Sequence, residues 1–316
     1  MNKLPDIAIE FLDYMETIRG KSKNTIIAYS YDLVLFFKFI KVKRGYVATD
    51  MEFDEIPVDD IDLYMMNNIS LADLYSFISF AANQRDNKNY ARARKVACLR
   101  SFFKYLHKMK MIDNNPSIDL ESPKINSRHP VYLTLEESKQ LLSSIDGENK
   151  ERDYAIITLF LNCGLRLSEL ISIDISKISG DTLTVIGKGN KERTVYLNNA
   201  CIHAVKRYLE VRPADEVKDK NALFLSERKR RISKRSVQYL VKKYIGASNL
   251  DVEKYSPHKL RHTAATLMYK YGKVDIRSLQ EILGHENIST TQIYTHLDED
   301  TLRDAVKSNP LSDEEE

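Results

Sequence analysis

Cys163-Gly164-Leu165-Arg166-Leu167-Ser168-Glu169-Leu170 closes one helix and opens another. Upstream, Tyr154 to Leu161 is a strongly apolar helical stretch; downstream, Ser168-Glu169-Leu170 is a local helix start. Arg166 stands between them among apolar neighbours, where a guanidinium is costly to bury unless it is paired. Two readings stay open on these residues alone: a structural salt bridge, for instance with Glu169, or a guanidinium aimed at a phosphate from a rigid helix end.

Outward from this juncture the second half of the chain reads as mostly helical with one hairpin. Thr182 to Ile186 and Arg193 to Leu197 are rich in β-branched residues and flank Gly187-Lys188-Gly189-Asn190, whose glycines permit a tight turn with Lys188 at its tip. Helices are expected over 199–211, 233–245, 257–271, 275–283 and 289–295, with Pro257 at a first helical position. His258 and Arg261, three apart on one of them, share a face. Gly284 in Leu283-Gly284-His285 suits a helix C-terminal cap and sets His285 just past the helix end.

Tyr294 follows, one of 18 tyrosines, so only its company singles it out. A free phenol has a pKa of about 10 and needs cations to stabilise developing phenolate. Arg166, Arg261, His258, His285 and Tyr294 together suit phosphoryl chemistry: guanidiniums hold non-bridging oxygens, imidazoles move protons, and a phenol oxygen attacks. His262, four residues after His258, invites a zinc reading. The metalloprotease pattern needs a glutamate after the first histidine, where Lys259 stands, and Arg261 would oppose a cation, so no metal or other cofactor is expected.

The first half carries no such set. Ser22 or Asn24 could cap a helix on which Ile26, Tyr29, Leu33, Phe36, Phe37 and Ile40 recur at helical spacing, a bundle core without chemistry. Asp50, Glu52, Asp54, Glu55, Asp59, Asp60 and Asp62 make an acidic stretch read as a solvated loop with a short helix. Patterning resumes at Leu71, Leu74 and Ile78, then at Val96, Leu99, Phe103 and Leu106. This last helix has Arg85, Lys88, Arg92, Arg94, Lys95, Arg100, Lys104 and Lys108 on or near it; a helix against a phosphate backbone and a solvated face are the two readings. Asn114-Asn115-Pro116 stops it.

Residues 121–131 read as a linker, and Thr134-Leu135-Glu136-Glu137 as a capping box. The boundary falls near Ser127, giving a first domain over 1–120, a second over 132–307 and an acidic tail over 308–316. A length of 316 residues accommodates two such domains, and 43% hydrophobic with 29% charged residues excludes a disordered or membrane class. A net charge of +3 neither shows nor excludes a nucleic-acid partner. Three scattered cysteines form no disulfide framework, and Asp6 and Glu10 interrupt the start, so a cytoplasmic protein with no membrane partner is expected.

Five motifs of the second half match the tyrosine recombinases in order and approximate spacing, and the chain resembles most closely the Xer-like group of bacterial site-specific recombinases. They are Gly164 to Leu170, Gly187-Lys188-Gly189, Pro257 to His262, Leu283-Gly284-His285 and Tyr294-Thr295-His296. In the first half, Ser22-Lys23-Asn24-Thr25, Ala28-Tyr29, Asp32-Leu33, Leu99 to Phe103 and Asn115-Pro116 are similar to the family's helical core-binding domain. The resemblance implies a mainly α protein of two domains forming a C-shaped clamp: a helical N-terminal DNA-binding domain and an α-rich catalytic domain with a small antiparallel sheet.

It further implies that Tyr294 attacks a DNA phosphodiester to give a 3′-phosphotyrosyl link and a 5′-hydroxyl. Arg166 and Arg261 would hold the non-bridging oxygens, Lys188 would protonate the leaving 5′-oxygen, His258 would assist the tyrosine's proton transfer and His285 would hydrogen-bond the phosphate. The implied partners are double-stranded DNA, three further protomers in a homo- or hetero-tetramer with a related recombinase, and a cell-division DNA translocase. The implied task is resolving chromosome or plasmid multimers; rivals are integration or excision of a mobile element, relaxation by a type IB topoisomerase, and a catalytically silent DNA-binding descendant. The acidic 50–62 segment lengthens the first domain beyond the family's usual pattern. Thr301 to Val306 are the residues that would form the family's C-terminal helix, which docks on an adjacent protomer.

Overall fold

The computed structural model describes residues 3–48, 50–124, 130–187, 191–285 and 287–297. The chain divides into two compact units, Met1–Asn126 and Ser127–Glu316.

The first unit is helical. Its longest helix, α2 (Lys23–Lys43), starts because the Ser22 hydroxyl accepts from the Thr25 amide at 3.3 Å, and it buries Tyr29, Leu33, Phe36, Phe37 and Ile40. An earlier helix, α1 (Asp6–Thr17), adds Phe11 and Leu12 to the same core. Aromatic rings meet edge to face, Phe36 with Phe77 and Phe11 with Phe102 each at 5.3 Å. Such pairs contribute about 0.5–1.5 kcal/mol each beyond their burial.

Helices α3 (Leu63–Asn67), α4 (Leu71–Asn83) and α5 (Asn89–Lys108) complete the unit. The cations on and beside α5 are not alike. Lys95 is buried and bonds Asp32 at 2.8 Å, and Arg94 pairs with the other oxygen of the same carboxylate. Those two are spent on a buried acid that comes from α2, far off in sequence. Lys88, Arg100, Lys104 and Lys108 stay exposed.

The acidic segment is not simply a solvated loop. Ile56, Val58 and Ile61 are buried. Lys41 of α2, itself 2% exposed, bonds Asp60 at 2.7 Å and the Pro57 carbonyl at 2.9 Å. Irregular backbone gives these apolar residues no period, so periodicity misses the docking.

The second unit is built around α7 (Lys150–Cys163), buried along nearly its whole length and packed against α9 (Asn199–Val211) and α11 (Pro257–Gly272). Before it, α6 (Leu135–Ser143) starts at a reciprocal cap in which Thr134 Oγ1 accepts from the Glu137 amide at 3.1 Å and Glu137 accepts from the Thr134 amide at 2.7 Å. Helix α7 ends at Gly164 in the left-handed conformation, φ +58, and α8 (Leu167–Ile171) begins three residues later. Three antiparallel strands follow in the order β1 (Ile178–Ser179), β2 (Thr182–Ile186) and β3 (Glu192–Tyr196), with Thr182 opposite Tyr196 and Ile186 opposite Glu192. The Gly187 amide donates to the Lys191 carbonyl at 2.8 Å to close the hairpin.

Helices α10 (Lys234–Ala247) and α12 (Ile276–Leu283) fall within two residues of the expected ranges. The expected helix over 289–295 is instead a pair of 3-10 segments, Ile288–Thr290 and Gln292–Leu297. The capping of α12 by Asp275, which accepts from the amides of Arg277 and Ser278, and its ending at Gly284, φ +63, fix where His285 leaves the helix. Lys188 at the hairpin tip, residues 125–129 of the expected linker, Thr301 to Val306 and the acidic tail lie outside the described residues.

Candidate active site

Glu169 organises the site. It is 1% exposed, and its carboxylate faces three guanidiniums: Arg166 at 2.7 Å, Arg193 at 2.9 Å and Arg261 at 3.8 Å. Burial pushes this carboxyl up, but the bond and charge of Arg193, with the backbone and side-chain bonds of Arg166, outweigh it and hold the pKa below the ordinary value. One carboxylate among three guanidiniums leaves the site net positive. The salt-bridge reading of Arg166 holds, and the side chain still keeps 31% of its surface open.

The guanidiniums also hold main-chain oxygens at helix ends. Arg166 Nη2 donates to the Gly284 carbonyl at 2.6 Å, Arg193 Nη1 to Ile282 at 2.6 Å, and Arg261 Nη2 to Leu283 at 2.6 Å. Arg261 Nη1 reaches back to the Gly164 carbonyl at 2.7 Å. Cations favour the C-terminal end of a helix, where unpaired carbonyls carry partial negative charge. The last turn of α12 is thus gripped from β3, from α11 and from the start of α8. Burial and the neighbouring Arg166 lower the Arg261 pKa to about 10, still charged at neutral pH.

Two glycines make this approach possible. A Cβ on Gly284 would stand 2.8 Å from Arg193 Cδ, and one on Gly164 would stand 2.8 Å from Leu283 Cδ2. Both positions also need positive φ.

His285 leaves the end of α12 with its Nδ1 paired to Thr291 Oγ1 at 2.9 Å. Burial and then the charges of Arg261, Arg166 and Arg193 lower its pKa to about 4, so the ring is neutral at pH 7. Tyr294 lies 1% exposed in a small apolar cluster with Ala265, Leu279 and Leu283. Burial raises its pKa to about 12, against an opposing pull from Arg261. Its hydroxyl meets His262 Nδ1 at 2.7 Å, while His262 Nε2 meets His258 Nε2 at 3.1 Å.

The structure brings Arg166, Arg261, His258, His285 and Tyr294 into one region of the second unit. His262, not His258, touches the tyrosine; His258 reaches it only through His262. Sequence reasoning weighed His262 solely as a partner of His258 for a metal. Among the described residues no group of three or more His, Cys, Asp or Glu is placed to hold a metal ion. Arg193 was passed over as a strand residue. Its position three residues after the glycine-rich turn, on the returning strand, is the one available signal.

Residues 131–301 match the phage integrase family. The chain is 62% identical to the tyrosine recombinase XerC of Caldanaerobacter subterraneus subsp. tengcongensis, over 99% of this chain and 89% of that one. The chain belongs to the phage integrase family, as a Xer-like tyrosine recombinase. It is an enzyme, a site-specific DNA recombinase, and DNA is its partner. This recombinase is also 34% identical to the tyrosine recombinase XerD of Proteus mirabilis, over 94% of this chain and 91% of that one. Its fold is shared with the XerH site-specific recombinase, solved bound to a palindromic difH substrate, at a TM-score of 0.72 and 23% identity over 95% of this chain and 84% of that one. Among the described residues of this recombinase no helix is long and apolar enough to cross a membrane.

Proposed function

We propose that this recombinase cuts DNA by attack of Tyr294 Oη on a phosphodiester, leaving a 3′-phosphotyrosyl link and a free 5′-hydroxyl. The observation that carries the reading is the net-positive cradle around Glu169. Arg166 and Arg261 are locked on the carbonyls of Gly284 and Leu283, with His285 beside them and Tyr294 on the adjoining segment. Donors held in place before reaction stabilise a pentacoordinate phosphorane-like charge without reorganising.

Arg166 and Arg261 bind the non-bridging oxygens. His285, its Nδ1 occupied by Thr291, offers Nε2 to the same phosphate. Lys188 protonates the 5′-oxygen. In support, a Cβ on Gly187, the residue before it, would lie 3.8 Å from Glu169 Oε1 and 4.0 Å from Arg166 Nη1, so the turn departs from beside the cradle. His258 assists the tyrosine's proton transfer. The phosphotyrosyl bond keeps the energy of the broken linkage, so a 5′-hydroxyl from the partner duplex can reverse the step and complete exchange.

Tyr294 is 1% exposed, so cleavage includes the uncovering of its hydroxyl with the His262 contact kept. The assembly is a tetramer on two DNA sites, with this chain alone or with a related recombinase, acting in the cytoplasm and answering to a cell-division DNA translocase. Its task is resolving chromosome or plasmid multimers; relatives of both the XerC and XerD kinds support that role over integration. The deciding experiment is a nicked suicide substrate. Tyr294→Phe should bind it and form no covalent adduct; an adduct of normal yield refutes the tyrosine assignment.

A further inference from the structure

We infer that His262 is a catalytic residue of this recombinase: it takes the proton from Tyr294 Oη as the phenol oxygen attacks, and passes a proton on to His258. The inference rests on Tyr294 being the nucleophile and concerns who removes its proton.

The geometry is a chain of three groups. Tyr294 Oη lies 2.7 Å from His262 Nδ1, and the opposite nitrogen of that ring lies 3.1 Å from His258 Nε2. His258 is exposed, whereas Tyr294 is buried, so the chain runs from the interior to solvent. The two imidazoles cross at 71° with centroids 4.4 Å apart, which aims one ring nitrogen at the other.

Neutral rings allow two arrangements of hydrogens, and one of them gives the buried phenol hydrogen an acceptor. Burial keeps the phenol protonated, and among the described residues His262 Nδ1 is its hydrogen-bond partner, so the phenol donates. His262 then carries its hydrogen on Nε2 and donates to His258 Nε2, which leaves the His258 hydrogen on Nδ1, at the exposed end.

His262 is well suited to stay neutral until needed. Burial, then His258, Lys259 and Arg261 from its own helix and His285 from the end of α12, lower its pKa to about 4. A weak base beside a phenol near 12 leaves the proton in place until the oxygen bonds to phosphorus and turns strongly acidic. The step then balances. An Oη lone pair forms the O–P bond, and the P–O5′ pair departs on the 5′-oxygen with a proton from Lys188. The Oη proton goes to His262 Nδ1, and the Nε2 proton moves to His258. Ligation runs the same path backwards.

The test uses the full chain in single turnover on the nicked suicide substrate, with Tyr294→Phe alongside. H262Q keeps a hydrogen-bonding amide and removes the basicity. Its DNA binding by mobility shift and its melting temperature should stay near wild type, while adduct formation slows by about 10²-fold or more. Difluorotyrosine incorporated at position 294, a more acidic phenol, should recover most of that loss in H262Q and change the wild-type chain little. Adduct formation at or above the wild-type rate in H262Q overturns the inference, since His262 would then be a latch on the buried tyrosine. Slow cleavage in a folded H262Q that the fluorinated residue fails to rescue also overturns it. An adduct in Tyr294→Phe instead removes the nucleophile reading on which the inference stands.

Discussion

Two buried carboxylates, one in each unit, meet cations in opposite ways. Asp32 in the helical first unit faces Arg94 and Lys95, and burial still pushes its carboxyl above the ordinary value. Glu169 in the second unit is equally buried, yet bonds from Arg193 and Arg166 hold its carboxyl down. The first cluster has one cation beyond its carboxylate. The second has two, and that larger surplus is what a phosphodiester would meet.

Removing one guanidinium from the surplus should do most. Arg261→Ala is expected to lower the rate of adduct formation on a suicide substrate by about 10²–10³-fold, the loss typical of one preorganised donor. A rate within threefold of wild type would mean that Arg166 and Arg193 suffice.

Next in size is the other cluster. Lys95→Met leaves the buried Asp32 carboxylate with Arg94 as its remaining cation, for which about 2–3 kcal/mol of destabilisation is expected in urea unfolding. Because the Asp32 pKa is already raised when folded, its charge penalty is full above that folded value and is relieved as pH falls through it. The variant should therefore recover stability on acidification; a loss independent of pH would contradict the buried-charge account.

A smaller effect is expected at the backbone of the site. Gly284→Ala must adopt φ +63 and place Cβ 2.8 Å from Arg193 Cδ, so a loss of about 1–3 kcal/mol with slower cleavage should follow. Calorimetry and the same adduct assay measure both.

The mildest signal is the acid limb of stability. Glu169, depressed when folded, contributes stability that is complete above its unfolded value of about 4.3 and lost as pH falls through the folded one. Glu169→Gln should flatten that limb while Asp32→Asn leaves it steep, read as unfolding midpoint against pH.

What was legible in the chain follows from how local each cause is. Ser22 as a helix cap, the Thr134 and Glu137 box, Gly284 as a terminator and the hairpin around Gly187 all depend on residues within a few positions of one another. The same holds for the spacing that put His258 and Arg261 on one face. The docking of the acidic segment was not legible, because it depends on Lys38 and Lys41 from α2 and on apolar residues without period. Nor was the depth of Tyr294, which α11 and α12 create together. His262 was misjudged for the same reason: its spacing to His258 is local, whereas its partner Tyr294 is 32 positions away. Arg193 sits in a strand whose pattern is satisfied without it, and its partners Glu169 and Ile282 come from distant segments.

The grip on the last turn of α12 has a consequence for how this site tolerates change. Arg166, Arg193 and Arg261 hold carbonyl oxygens of residues 282–284, which every amino acid supplies. Exchanging the exposed Arg277, Ser278 or Glu281 should leave the cradle standing. Inserting a single residue between Ile276 and Ile282 would turn those oxygens by about 100° and move them along the axis by about 1.5 Å. The phosphate cradle is thus indexed to the length of this helix, and a frame of eight residues, Ile276–Leu283, acts as its ruler.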